Sequence, residues 1–234
     1  MSRIAVIDFE TTGISPTMGD RATEVAIVML ERGQVVDRFQ SLMNAGVRIP
    51  AFITELTGIS NTMVAAAPPA HAVMAEASRF VGDVPMAAHN AAFDRRFWQA
   101  ELARAGLAAP QPFACTVLLS RRLYPQATSH RLGALVDLHG LPRTGTAHRA
   151  LADAEMAAAL LGKIQQDLHR QFGVPDPTHP MLMALQVCPR LKVPARIQHW
   201  LAQQPAAGAP VGVSVRAEPG SAVQVRRTTT LPIE

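Results

Sequence analysis

The chain has 234 residues, 48% of them hydrophobic and 17% charged, which supplies a buried core and excludes wholesale disorder. The formal charge of +4 is unevenly placed: residues 1–189 hold 16 basic and 16 acidic side chains, so the whole excess lies in residues 190–234. A basic balance confined to one end argues against a broad nucleic-acid-binding face on the main body.

The predicted elements begin with Arg3-Ile4-Ala5-Val6-Ile7-Asp8-Phe9, an apolar, β-branched run broken by Thr11-Thr12-Gly13, which reads as a central strand ending in a turn. Thr23 to Leu30 and Val35 to Leu42 read as two further strands, joined by a hairpin at Glu31-Arg32-Gly33-Gln34. Ala70 to Val81 has helical period, Pro85 to Ala88 reads as a short buried strand, and Ala91 to Ala105 as a helix stopped by Gly106. Phe113-Ala114-Cys115 is the next strand, with Thr116 as N-cap of a helix over Val117 to Leu123. Leu132 to His139 and the long Ala/Leu stretch Ala147 to Phe172 are helices closed by Gly140 and Gly173. A strand meander succeeded by alternating helices and strands predicts a mixed sheet covered by helices, an α/β domain over 1–172.

Prolines 175, 177, 180, 189 and 194 interrupt the chain beyond Gly173, so 173–202 is expected to be a short helical or irregular extension, with helices near Met181 to Val187 and Ile197 to Ala202. Residues 203–234, rich in Ala, Pro, Gly and Val, read as a flexible basic tail. Its arginines, Arg216, Arg226 and Arg227, suit phosphate, although Arg- and Ala-rich composition also arises from codon usage. No apolar run is long enough for a helical membrane span, and Met1-Ser2-Arg3-Ile4 lacks the pattern of a signal peptide. Cys115 and Cys188 make no disulfide framework, and with His179 and His199 they fit no metal spacing. A reducing cytoplasm is the expected location.

Asp8 and Glu10 stand two apart at the end of the first strand, so their side chains share one face. Two carboxylates on a central strand are costly unless neutralised, and hard divalent cations take oxygen ligands. The pair by itself is weak: chance yields about 0.3 such triplets in a chain of this composition, and Asp153-Ala154-Glu155 is a second one. Asp94 comes after His89-Asn90-Ala91-Ala92-Phe93 at a helix start, where a carboxylate also simply complements the helix dipole. Asp153 lies in the long Ala-rich helix, and His148 five residues earlier, about 140° away on a helical wheel.

Four segments then stand in order: Asp8-Phe9-Glu10-Thr11-Thr12-Gly13, Ile53-Thr54-Glu55-Leu56-Thr57-Gly58-Ile59, Ala88-His89-Asn90-Ala91-Ala92-Phe93-Asp94 and His148-Arg149-Ala150-Leu151-Ala152-Asp153-Ala154. Together they resemble the DnaQ-like 3′–5′ exonuclease family, the DEDD group with a histidine base, which includes the proofreading subunit of bacterial replicative polymerase and the exonuclease domain of PolC polymerases. Cys115-Thr116 and Ser129-His130-Arg131-Leu132-Gly133 are also similar to family segments. The resemblance covers about residues 3–172. The family's other branch carries Tyr four residues before the last Asp; that position is Arg149 here, and His148 stands at minus five.

The resemblance implies a ribonuclease H-like α/β fold, a mixed sheet with helices on both sides and the first strand central, plus the C-terminal extension. It implies hydrolysis of the terminal phosphodiester at single-stranded or frayed 3′ ends of DNA or RNA, with release of nucleoside monophosphates. Two divalent ions, Mg²⁺ or Mn²⁺, would be held by Asp8, Glu10, Asp94 and Asp153. His148 would take the proton from the attacking water, as an imidazole can near neutral pH, from a mobile turn that can swing away without substrate. Thr11, Thr12, Gly13, Leu56, Thr57 and Phe93 would meet the terminal nucleotide, Ile14 would wedge between the last two bases, and Asn90 would orient Asp94 or the backbone. Core packing is an equally ordinary use of Ile14, Leu56 and Phe93. A polymerase subunit or sliding clamp is the partner expected for 174–234. The competing expectation is a nucleic-acid-binding scaffold of the same fold with weak catalysis.

Overall fold

The computed structural model describes residues 3–145 and 148–203. Five strands, β1 (Arg3–Thr11), β2 (Ala22–Glu31), β3 (Gln34–Leu42), β4 (Met86–Ala88) and β5 (Phe113–Cys115), form one mixed sheet in the order β3-β2-β1-β4-β5. The apolar β1 is central. It pairs antiparallel with β2 from Arg3↔Glu31 to Glu10↔Glu24, and parallel with β4 only at Ala5↔Met86 and Val6↔Ala87. β2 and β3 form the expected hairpin. Its two turn residues, Arg32 and Gly33, both have positive φ (55° and 74°), the twist a two-residue loop needs between right-twisted strands.

The helices are α1 (Ala51–Thr57), α2 (Asn61–Ala65), α3 (Ala70–Val81), α4 (Ala91–Arg104), α5 (Thr116–Leu123), α6 (Leu132–Leu138), α7 (Ala150–Phe172), α8 (His179–Gln186) and α9 (Val193–Ala202). Strand parity divides the core. Ala5, Ile7 and Phe9 pack with α3 and α4 on one face, whereas Ile4 and Val6 pack with α7 on the other. The inner face of α7 carries Ala150, Ala154, Ala157 and Ala158, small enough to bring the helix close to the sheet. Asp8 and Glu10 continue the even-numbered, α7-facing row of β1, and Glu24 belongs to the matching row of β2.

Three local features differ from the sequence expectations. Helix α5 begins at Thr116 itself, and Thr116 makes no N-cap bond; its hydroxyl is used by His89. Helix α7 begins at Ala150 rather than Ala147, because His148 is left-handed (φ 60°) and Arg149 extended (φ −126°). Helices α1 and α2 are absent from the sequence expectations: α1 is short, between Pro50 and Gly58, and its apolar Phe52 and Leu56 are exposed while only Ile53 and Thr57 face inward, too few for a periodic stripe to reveal it.

Beyond α7, the buried Met181, Leu182, Leu185, Val193 and Ile197 of α8 and α9 join the same core as Ile4 and Val6. Gln186 finishes the sheet edge. Its side-chain oxygen accepts from the Cys115 N–H (2.6 Å) and its amide nitrogen donates to the Phe113 carbonyl (3.3 Å), so a side chain stands in for a sixth strand. The buried His179 donates from Nε2 to the Met86 carbonyl (2.8 Å), and burial pushes its imidazole pKa down, toward the neutral form. Among the described residues no helix is long and apolar enough to cross a membrane. Apart from Gln203, the tail expected over 203–234 lies outside the described residues.

Candidate active site

The parallel pairing of β1 with β4 stops at Val6, so the two chains diverge beyond it and open a crevice at the carboxyl end of the sheet. Asp8 and Glu10 project into that crevice from β1, and Asp153 comes down from the first turn-and-a-half of α7. Asp94, in the first turn of α4, is buried. One of its carboxylate oxygens accepts the Phe9 N–H (3.3 Å), a donor left without a strand partner by the divergence. The resemblance-derived set therefore comes from three elements that meet at one end of the sheet.

His148 faces this group instead of swinging away. Ligand atoms of Glu10, His148 and Asp153 all lie within 4.8 Å of one another, a cluster able to hold a metal ion. The His148 backbone N–H donates to Asp153 Oδ2 (3.2 Å), which ties the turn to the helix it precedes. Two hard carboxylates and an imidazole suit Mn²⁺ or a similar divalent cation.

The electrostatics favour a cation as well. Burial raises the Asp8 carboxyl well above the usual range, with Asp94, Glu10 and Asp153 adding like charge. Glu10 is pushed up to about 8, by burial first and then by Asp153 and Glu24, with Arg149 opposing. Burial also raises Asp94 and Asp153. Several carboxylates cannot all ionise in one apolar crevice without positive charge among them.

Two cavities flank the carboxylates. One, of about 690 Å³, is lined by Thr11, Thr12, Gly13, Ile14, Phe52, Leu56, Thr57 and Phe93 together with Asp8, Glu10, His148 and Asp153. Ile14 is 78% and Leu56 51% exposed, so neither is core. Phe93 is half-buried, with its ring 4.9 Å from that of Phe97, and still reaches the cavity. The Thr57 hydroxyl is already engaged: it donates to the Ile53 carbonyl (2.9 Å) and accepts the Ile59 N–H (3.1 Å). Gly13 is demanded from within the protein, since a Cβ there would collide with the Asp20 carboxylate, which caps the Ser15 N–H (2.9 Å). Arg21 anchors the same loop through a two-pronged pair with the buried Glu101 (2.8 and 2.9 Å), and its backbone N–H donates to the Thr12 hydroxyl (3.0 Å).

The other cavity, of about 1030 Å³, runs from Asp8, His148 and Asp153 past Asn90 to Arg121, Ser129, His130, Arg131 and Arg143. Asn90 takes the left-handed conformation (φ 69°) that starts α4, which Asn tolerates. As N-cap of α4 it makes no side-chain capping hydrogen bond. His89 fixes this wall. Its Nε2 lies 3.1 Å from the His130 carbonyl, which can only accept, so Nε2 carries the hydrogen and Nδ1 accepts from the Thr116 hydroxyl (2.9 Å). Burial pushes the His89 pKa down to about 4, in keeping with that neutral tautomer. Ser120 in turn contacts His130 Nδ1 (3.1 Å). The sequence motifs contain His89 and His130 but give them no role of their own. Glu24 is missing from the sequence expectations altogether; its one mark is a lone charge inside the apolar run of β2.

Comparison with known proteins identifies the family. A family model described as "Exonuclease" (RNase_T) matches residues 5–161. The chain is 39% identical over 184 residues to the 3′-5′ exonuclease DinG of Bacillus subtilis, covering 78% of this chain and 19% of that protein. It is 35% identical over 167 residues to the PolC-type DNA polymerase III of Halalkalibacterium halodurans, covering 71% of this chain and 12% of the polymerase. The chain thus spans a fifth or less of the length of these relatives. Among solved structures, Exonuclease X in complex with 5′-overhanging duplex DNA superposes with a TM-score of 0.62 at 28% identity, covering 78% of this chain and 99% of that one. The nuclease domain of 3′hExo, a DEDDh family member bound to rAMP, shares the fold at a TM-score of 0.61 and 19% identity, covering 71% of this chain and 92% of that one.

Proposed function

We propose that this chain, which belongs to the DnaQ-like, DEDDh exonuclease family, is a 3′–5′ exonuclease that trims single-stranded or frayed 3′ ends, chiefly of DNA, by metal-assisted hydrolysis. The observation that carries this reading is the meeting of Asp8, Glu10, Asp94 and Asp153 at the sheet's carboxyl end, with the His148 imidazole beside Glu10 and Asp153. Asp8, Glu10, Asp94 and Asp153 would hold two divalent ions, Mg²⁺ or Mn²⁺, which this all-oxygen carboxylate set fits. When bound, such ions activate water and stabilise charge on the phosphate oxygens.

The chain's own residues position and move a proton. His148 takes a proton from the attacking water, whose oxygen bonds to the terminal phosphorus as the bond to the penultimate 3′ oxygen breaks. That oxygen leaves as a 3′ hydroxyl after taking up a proton, and the product is a nucleoside 5′-monophosphate. The 690 Å³ cavity is suited to the terminal nucleotide, with Leu56 and Phe93 against the base and Ile14 between the last two bases. The 1030 Å³ groove suits the strand leading away, its phosphates meeting Arg121 and Arg131. The likeness to polymerase-linked relatives supports a role in proofreading or repair, with a polymerase subunit or clamp as partner.

A product ladder tests the reading, using 5′- and 3′-labelled single-stranded DNA and RNA with Mg²⁺, Mn²⁺ or EDTA. Stepwise shortening of 5′-labelled DNA, immediate mononucleotide release from 3′-labelled DNA and silence in EDTA are expected. Cleavage unaffected by EDTA, or starting at the 5′ end, would refute it.

A further inference from the structure

Glu24 is wholly buried beside the active site, opposite Glu10 across the β1–β2 pair, yet the carboxylate set does not include it. Its two oxygens accept four hydrogen bonds: from Arg149 Nε (3.1 Å) and Nη2 (2.9 Å), from the Ala150 backbone N–H (3.1 Å) and from Gln40 Nε2 (2.7 Å). These partners hold its pKa below the ordinary carboxylate value against the pull of burial. Three of the four donors belong to Arg149 and Ala150, where α7 begins. The N-cap residue Arg149 makes no side-chain capping bond to this helix, and a strand residue 126 positions away accepts from its first N–H instead.

The turn so gripped is the one that carries His148, which stands in the left-handed conformation at φ 60°. A non-glycine residue holds such a conformation only where its surroundings over-determine it. Here the His148 N–H is tied forward to Asp153, and the next residue is tied across to Glu24.

We propose that Glu24 and Arg149 form a latch, two positioning residues that fix the His148 turn so that the imidazole stays over Glu10 and Asp153. The Arg149 fork grips both carboxylate oxygens through two nitrogens held in one plane, an orientation that the single ammonium of a lysine does not fix. The latch rests on the exonuclease reading, in which His148 is the base.

The test is a double-mutant cycle on the full chain, with the p-nitrophenyl ester of thymidine 5′-monophosphate as substrate and Mn²⁺ present. Arg149→Ala is expected to lower kcat about 10-fold or more with KM within about threefold, and to lower it less than about threefold in a His148→Ala background, because residues acting as a unit are non-additive. Arg149→Lys falls between Arg149→Ala and wild type, and serves the same cycle if the alanine variant does not melt cooperatively. Equal losses in both backgrounds, or an Arg149→Ala enzyme with wild-type kcat, overturn the latch. A wild-type protein that fails to hydrolyse the ester with Mn²⁺ overturns the exonuclease reading itself, whereas an active wild type with an additive cycle sinks the latch alone.

Discussion

Replacing Glu10 by glutamine in the metal-free protein should flatten the fall of stability with rising pH. Glu10 titrates near 8 when folded against 4.5 for an ordinary glutamate. A group whose pKa is raised by folding contributes stability that is fully present below its unfolded pKa and is lost as pH rises through the folded one. The window is therefore pH 4.5 to 8, and the shift is worth at most about 5 kcal/mol at 1.36 kcal/mol per unit. For a domain of this size that ceiling corresponds to roughly 10–20 °C in Tm, which side-chain relaxation and water penetration reduce. The substituted amide would mimic the protonated acid at every pH. The assay is thermal unfolding by circular dichroism in EDTA at pH 5 and pH 8. Wild type should lose at least about 5 °C more than Glu10→Gln between the two, and Mn²⁺ at pH 8 should restore wild type far more than the variant. Parallel pH dependence in the two proteins would refute the account of the crevice as a cluster of mutually repelling, desolvated carboxylates.

Asp8→Ala should abolish hydrolysis while leaving far-UV circular dichroism unchanged, because Asp8 touches both cavities but contributes no apolar burial; activity on a labelled oligonucleotide would contradict the metal assignment. His148→Ala should cost about 100-fold or more in kcat, the range for a lost general base, and a rate within twofold of wild type across pH 6–9 would remove His148 from that role. The double variant Arg121→Ala/Arg131→Ala should weaken oligonucleotide turnover and flatten its salt dependence by a slope of about 1–2, as expected for two lost phosphate contacts. It should spare the nitrophenyl ester, which has no upstream phosphate; equal loss on both substrates would take the strand out of the groove.

Much of the fold is legible in the sequence because its signals are local. The run Ile4-Ala5-Val6-Ile7 announces a central strand, Glu31-Arg32-Gly33-Gln34 a hairpin, and the Ala/Leu stretch from Ala147 to Phe172 a long helix. Helix α1 is illegible for the opposite reason: two of its three large apolar residues, Phe52 and Leu56, face out, and only Ile53 faces in. Position alone makes Thr116 a helix cap, but a cap competes with any better partner in space, and His89 is that partner. The site divides the same way. Period two alone puts Asp8 and Glu10 on one face, while nothing in the spacing of Asp94, His148 and Asp153 says that they will meet.

The sequence by itself determined the apolar periodicities, the paired carboxylates, the family resemblance and the concentration of the positive charge in residues 190–234. Only the tertiary structure decided what those carboxylates face. Asp8 and Asp153 are 145 residues apart in sequence, and their separation in space is set by how far β4 runs beside β1 and where α7 begins. The helix start is a compact case. Composition allows α7 to begin at Ala147, but Glu24 on a distant strand accepts the N–H of Ala150 and holds Arg149 outside the helix. A buried carboxylate must find donors wherever the fold provides them, and in doing so it sets the turn that presents His148.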